Sequence, residues 1–339
     1  MRGDDPAISV VIPCRNEAAT LPACLDALEA QDFPPERFEV VLVDGGSTDG
    51  CRDIARASGI RVLEDLGHGP SAARNVGVLG ARAPIVAFTD GDCAPERDWL
   101  TAIAEVFAEK PWITGVGGAL RMPRRTFLGR MEDDDARVRY RGFITSNVAY
   151  RRDAILAVGG FDETLCCAED YDLAWRLRDA GFEVVWDPRP LVLHDPPEID
   201  GTLAGYLRKQ RWYARNDVPA QARAWGRNRA VAPIRDALVP AAALLLAGGA
   251  LLARKPMLLA GAAAALVARA WGRTEPAGVE TAPRLALSLA KETARGVGTL
   301  EGLAALARGG FRGRSPLKSA SLQAPYKESL FLTSGGFAP

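Results

Sequence analysis

Ile85-Val86-Ala87-Phe88 runs into Thr89-Asp90-Gly91-Asp92, and then into Cys93-Ala94-Pro95. A short apolar run ending in two carboxylates one residue apart reads as a buried strand with its ionisable groups at the exit. In a core, unpaired, those groups would each cost several kcal/mol. The Asp-x-Asp spacing lets one carboxylate meet a hard divalent cation while the other meets sugar or ribose hydroxyls. Magnesium and manganese favour such oxygen ligands together with phosphates. An ordinary acidic turn has the same composition, so the surrounding chain decides between the two.

Working outward, strand and helix patterns alternate to about residue 120. Ile8-Ser9-Val10-Val11-Ile12 has the continuous apolar character of a buried parallel strand. Ala18 to Gln31 reads as a helix, with Leu21, Cys24, Leu25 and Leu28 at i, i+3, i+4 and i+7. Phe38 to Val43 is a second strand, followed by a helix opening near Asp49. Ile60 to Leu63 is a third strand and Ser71 to Arg82 a helix. The strand at Ile85 is followed by a helix from Pro95 to Glu109 and a strand around Ile113 to Leu120. This order predicts a doubly wound α/β domain that binds ligands at the carboxyl ends of its strands. Helices near Asp153–Val158 and Asp170–Ala180 follow, then a strand at Glu183–Trp186 and an extended segment to His194.

A chain of 339 residues suits about two domains. Its zero net charge conceals a division. Residues 1–199 hold 22 Lys+Arg against 34 Asp+Glu, a net of −12; residues 200–339 hold 20 against 8, a net of +12. The acidic half suits metal-assisted work on phosphates, and the basic, Ala/Leu-rich half suits an anionic membrane surface. No nucleic-acid-binding motif accompanies the basic charge. The six cysteines form no Cys-x-x-Cys pair, which argues against a zinc site. Met1 to Ala7 is short and polar, not a secretory signal, so the amino-terminal half is expected in the cytosol with reduced thiols.

Arg121 to Arg141 is densely charged and reads as a solvated loop or helix. Leu203 to Arg229 looks helical and Arg-rich. Ala237 to Ala253 and Pro256 to Ala268 are uncharged runs joined by a basic turn. The first would extend about 25 Å as a helix, and both fall short of the roughly 20 residues of a comfortable span. They predict a helical hairpin, membrane-spanning or re-entrant, with a buried hairpin in a soluble protein as the alternative. Leu285 to Leu306 is amphipathic and suits an interface, and the tail after Arg312 reads as loop. The expected divisions are 1–199, 200–232, 233–272 (the hairpin), 273–312 and 313–339.

The polar turns at the strand ends carry the chemistry. Pro13-Cys14-Arg15-Asn16-Glu17 follows the first strand, and Asp44-Gly45-Gly46-Ser47-Thr48-Asp49-Gly50 the second. Asp44 is placed to accept hydrogen bonds from a base or ribose, and Asp49 suits a helix cap. Gly69 to Gly77 opens a helix whose amino terminus, with Arg74, is suited to phosphate. Together, Val11-Ile12-Pro13 with Asn16-Glu17, Val43 to Gly50, Ala73-Arg74-Asn75 and Asp90-Gly91-Asp92 resemble the ordered signature of family 2 glycosyltransferases. These are inverting enzymes of the GT-A fold that use nucleotide-diphosphate sugars and a divalent metal.

The resemblance covers residues 8 to about 212 and implies roles position by position. Pro13, Arg15, Glu17, Asp44, Ser47, Arg74, Asp90, Gly91 and Arg211 fall on the nucleotide and donor side. Asp92, with Asp90 and His194, would hold Mn2+ or Mg2+. Thr145-Ser146-Asn147 and Gly159-Gly160-Phe161-Asp162-Glu163 resemble the acceptor-side wall, so that Ser146, Asn147, Glu169 and Trp212 face the acceptor. Glu169-Asp170 is similar to the family's Glu-Asp motif, making Asp170 the general base; an acid-rich helix start explains the same residues structurally. Arg208-Lys209-Gln210-Arg211-Trp212 is similar to an element of cellulose-synthase-like members, and equally fits a basic amphipathic helix. His68 reads as a loop residue.

These features imply a GT-A catalytic domain followed by an α-helical membrane region, with the catalytic domain cytoplasmic. The implied activity is non-processive hexosyl transfer to a lipid-linked glycan or glycolipid, since spans enough to thread a polymer are missing. GDP-mannose and UDP-glucose both suit the donor side, with membrane lipids as further partners and no nucleic acid. Competing readings are a polyprenyl-phosphate sugar synthase, a sugar-phosphate nucleotidyltransferase (whose Gly-rich first loop is absent) and a non-catalytic sugar-nucleotide-binding scaffold.

Overall fold

The computed structural model describes residues 6–65, 69–121, 143–195, 202–225, 240–247, 261–264 and 281–308. They fall into two compact units, one built on residues 6–195 and the other on residues 202–308.

The first unit is a mixed sheet with helices on both faces. In chain order its elements are β1 (Ile8–Cys14), α1 (Leu21–Glu29), β2 (Phe38–Asp44), α2 (Cys51–Ala57), β3 (Arg61–Glu64), α3 (Pro70–Gly80) and β4 (Ile85–Phe88). They continue with β5 (Cys93–Pro95), α4 (Trp99–Glu109), β6 (Gly115–Arg121), β7 (Val148–Arg151), α5 (Arg152–Ala157), α6 (Glu169–Asp179) and β8 (Val184–His194). The sheet order is β3-β2-β1-β4-β7-β6-β8-β5. The first four are parallel neighbours, β7 runs antiparallel to both β4 and β6, and β8 is parallel to β6. β1 is buried along its whole length because both of its faces are covered. Ile8, Val10 and Ile12 join one core layer with Leu21, Leu25 and Leu28 of α1, while Val11 joins a second with Ala73 and Val76 of α3. Gly77 lets α3 close on β1, since a Cβ there would collide with Val11.

The expected doubly wound α/β arrangement is present, with local corrections. α1 begins at Leu21 rather than Ala18, with Pro22 in its first turn, where a missing N–H costs nothing. Cys93-Ala94-Pro95 does not lead directly into a helix. It forms β5, paired antiparallel with the end of β8, and α4 starts only at Trp99.

In the second unit α7 (Leu203–Trp225) and α8 (Thr281–Ala307) pack against each other, and residues 240–247 and 261–264 are helical. A Cβ at Gly298 or Gly302 would collide with the carbonyl oxygen of Arg211 or Arg215, so these glycines permit the close approach of the two helices. Of the predicted hairpin at 233–272, only 240–247 and 261–264 lie within the described residues. His68, the charged stretch beyond Arg121 and the tail from 313 lie outside them. Among the described residues no helix is long and apolar enough to cross a membrane.

Candidate active site

Two turns at the carboxyl ends of β1 and β2 are joined by their own polar groups. Gly45 N–H donates to the Cys14 carbonyl (2.8 Å). Asn16, in the left-handed region at φ 59°, accepts from the Thr48 N–H (2.9 Å), and its own N–H donates to Ser47 Oγ (3.0 Å). Asp44 is 1% exposed and accepts from the N–H groups of Ser47 (3.1 Å) and Gly46 (3.2 Å), with Arg52 Nε 3.4 Å away. Its carboxylate therefore organises the turn expected to border a base or ribose. Asp49 accepts from Cys51 N–H (3.2 Å) and Ala18 N–H (2.8 Å), although Gly50 occupies the cap position of α2. Pro13 is buried within β1, and Arg15 is exposed at the tip of the first turn.

Glu17 lays its carboxyl against Gly91, where a Cβ would collide with Oε2. That oxygen is buried without a hydrogen-bond partner. Burial, then the negative charges of Asp90 and Asp92, push the Glu17 carboxyl up to about 8. Its side chain thus belongs to the Asp-x-Asp corner, and Gly91 serves by being small.

The two carboxylates of that corner have different surroundings. Asp90 accepts from Arg74 Nη2 (3.1 Å) on one oxygen and from Ser146 Oγ (2.6 Å) on the other. With each oxygen already engaged, Asp90 is a poorer metal ligand than its spacing implies. Asp92 instead faces His194, Oδ2 to Nε2 at 3.4 Å, because β5 and β8 pair Cys93 with His194. The Asp195 N–H donates to the Asp92 carbonyl (2.9 Å) and tightens this edge. Burial works to raise the Asp92 carboxyl, but the hydrogen bond and charge of His194 outweigh it and hold the group below its ordinary value. Ligand atoms of Asp92, Cys93 and His194 lie within 4.8 Å of one another. Cys93 was not singled out from the sequence. Burial, then Asp90 and Asp92, push its thiol well up, so it stays protonated beside an oxygen-and-imidazole donor pair.

Asp170 is the second residue of α6, which Ala168 caps in the left-handed region at φ 59°. It is 9% exposed, and Oδ1 accepts from the Tyr171 N–H (2.8 Å). Burial and the neighbouring Glu169 raise its carboxyl to about 7, against the lowering pull of the Tyr171 and Thr145 N–H groups and Arg74. A carboxylate poised near neutrality is suited to taking a proton. Glu169 accepts from Arg74 Nη1 (2.5 Å).

Three sequence assignments change in meaning here. Arg74 is 5% exposed and ion-paired with Asp90 and Glu169, so it does not stand open to phosphate. Ser146 is buried and points at Asp90. Asn147, 1% exposed, accepts from Trp99 Nε1 (2.8 Å) and donates to the carbonyls of Ala119 (2.7 Å) and Pro190 (2.9 Å). It ties three elements together and does not face an acceptor. Asn75, quoted in the signature without a role, holds Phe161 through both backbone groups (2.8 and 3.0 Å). In the second unit, Arg211 is ion-paired with Glu301 and Trp212 is 48% exposed.

The chain is similar in sequence and fold to known proteins. Residues 9–155 match Glycosyl transferase family 2, and residues 86–272 match Glycosyl transferase family group 2. The chain is 30% identical over 219 residues to Glycosyltransferase AglE of Haloferax volcanii, covering 60% of this chain and 71% of that protein. It is 31% identical over 242 residues to the Pre-mycofactocin glycosyltransferase of Mycobacterium tuberculosis, covering 64% of this chain and 48% of the relative, so it spans about half of that protein. Among solved structures, the mannosyltransferase PcManGT from Pyrobaculum calidifontis, in complex with GDP-Man and Mn2+, superposes with a TM-score of 0.58 at 23% identity. That likeness covers 89% of this chain and 87% of the other, and it establishes the fold.

Proposed function

The chain belongs to glycosyl transferase family 2 and is a transferase enzyme, and on that footing we propose that it moves a hexose from a nucleotide-diphosphate sugar to a lipid-held acceptor with inversion. The observation that carries the reading is the division of the carboxylates: an ionised Asp92 beside His194, and a buried Asp170 poised near neutrality. In the proposed reaction the acceptor hydroxyl attacks the anomeric carbon, Asp170 takes its proton, and the bond from that carbon to the diphosphate oxygen breaks. Asp92 and His194 would hold Mn2+ or Mg2+, whose charge would offset that of the leaving diphosphate. Their oxygen and imidazole donors suit such a cation. The turns after β1 and β2, including Arg15 and Ser47, would border the nucleoside.

GDP-mannose is the favoured donor by analogy with small lipid-linked-glycan mannosyltransferases, with UDP-glucose as the alternative. A lipid-linked glycan or glycolipid at the cytosolic leaflet is the proposed acceptor. The net charge of +12 over residues 200–339 supports membrane association, as do the exposed Leu203, Trp212, Leu245, Leu246, Leu303 and Leu306. The test is thermal stabilisation by a panel of nucleotide sugars with Mn2+. One donor is expected to stabilise the wild type beyond Mn2+ alone and to lose that effect in Asp92→Ala; stabilisation by none, or equally in both, would remove the donor assignment. Sugar delivered to bare polyprenyl phosphate would favour the polyprenyl-phosphate synthase reading over glycan extension.

A further inference from the structure

We infer that Arg74 is a positioning residue for Asp170: spanning Asp90 and Glu169, its guanidinium ties the Asp-x-Asp corner to the first turn of α6 and sets the charge under which Asp170 works. The inference goes beyond the proposed function but rests on its reading of Asp170 as the base.

The geometry leaves Arg74 little freedom. Nη1 donates to Glu169 Oε1 at 2.5 Å and Nη2 to Asp90 Oδ1 at 3.1 Å, while Nε is buried without a hydrogen-bond partner. The guanidinium carbon lies 6.0 Å from the centroid of the Phe161 ring, which in turn meets Phe88 edge-on at 5.3 Å. The surrounding chain is bolted to the same place. On α3, Ser71 Oγ donates to the Leu165 carbonyl (3.0 Å), and Asn75 bonds the N–H and carbonyl of Phe161 and the Glu163 carboxylate (3.0 Å). Residues 161–165 lead into α6, so α3 and the start of α6 are held as one piece with Arg74 between them.

The charges around Asp170 then acquire an order. Glu169 on the same turn disfavours its ionisation, and Arg74 from α3 favours it. The backbone N–H groups of Tyr171 and Thr145 also favour the ionised form, and the buried Tyr150 hydroxyl on β7 lies within electrostatic reach. A single buried cation is shared by two carboxylates, so whatever changes at Asp90 alters how much of that cation Glu169 and Asp170 receive. Lysine would keep the charge but lose the fork that reaches both carboxylates at once.

The experiment is a carboxyl 13C NMR titration of the full chain labelled at aspartate, without donor, with Asp170 identified by Asp170→Asn. In Arg74→Gln the Asp170 midpoint is expected to rise by about one pH unit, the scale on which a neighbouring charge acts. Arg74→Lys should raise it less, and Glu169→Gln should lower it. An Asp170 midpoint unmoved in Arg74→Gln, or in Arg74→Lys should Arg74→Gln fail to fold, would overturn the inference. No substrate enters this titration, so it stands or falls apart from the transfer reaction; persistence of transfer in Asp170→Asn would sink the proposed base while leaving this coupling intact.

Discussion

The two ends of the sheet bury carboxylates in opposite ways. At the amino ends of β1 and β2, Glu39 accepts from Ser9 Oγ (2.6 Å) and from Arg82 N–H (2.7 Å) and Nε (2.8 Å), with Arg61 3.7 Å away. Burial works to raise its carboxyl, but those donors and charges prevail and leave it lowered. At the carboxyl ends, Asp170 and Glu17 are raised, and Glu17 retains a buried oxygen without a partner. One end spends its polar groups on holding strands together. The other crowds carboxyl groups around one shared arginine, an arrangement that opposes their ionisation and holds protons near neutral pH.

The largest test of that contrast is Asp170→Asn. A general base contributes about 10²- to 10⁴-fold to rate, so transfer should fall by about that much with donor stabilisation retained. The same substitution should raise the melting temperature at pH 8 by a few degrees, because it removes a buried charge whose ionisation the fold opposes. A variant both inactive and less stable would break the contrast. Glu39→Gln should do the reverse, lowering stability by about 2 kcal/mol, the scale of a charged hydrogen bond, without changing the pH profile of transfer. The sign follows from a depressed carboxyl: Glu39 contributes above its unfolded value, and that contribution is lost as pH falls through its lowered folded value. The difference between wild type and variant in urea denaturation should therefore shrink in acid.

An intermediate effect is expected on the acid side of the rate profile. With Asp170 near 7, transfer should fall about tenfold per pH unit below that point, as the proton occupies the base. Stability moves oppositely. A raised carboxyl holds its proton in the folded state longer than in the unfolded one, so its ionisation erodes stability as pH rises from its ordinary value toward 7. The smallest expected change is at Cys93→Ser. If the thiol only lines the Asp92–His194 pair, Mn2+-dependent stabilisation should shift by less than about twofold; a larger loss would make sulfur a ligand, contrary to the preference of hard cations for oxygen.

Much of this molecule was legible in its sequence because periodicity reports local burial. The apolar run at Ile8–Ile12 and the spacing of Leu21, Cys24, Leu25 and Leu28 led directly to β1 and the buried face of α1. What escaped depends on distant partners. Cys93-Ala94-Pro95 is a strand only because Val192–His194 lies beside it, and no local pattern announces that pairing. The insertion of β7 between β4 and β6 is equally silent in the sequence. The same limit applied to the site. Asp92, His194 and Asp170 stand out by residue type and order, but the engagement of Arg74 and Asn147 by neighbours far along the chain does not. Polar residue types look alike in sequence whether they face a ligand or a carbonyl.

The pairing of β5 with β8 has a consequence for how the domain is made. Asp92 and His194 are brought together by a closure spanning most of the domain, so a chain still emerging from the ribosome lacks the second half of the pair until β8 is complete. The preceding strands, β3 to β1 and β4, pair among residues synthesised far earlier. The edge that joins Asp92 to His194 is therefore the last part of the sheet to be assembled. A nascent or truncated chain ending before Val184 would have the strands β1 to β7 and no complete Asp92–His194 edge.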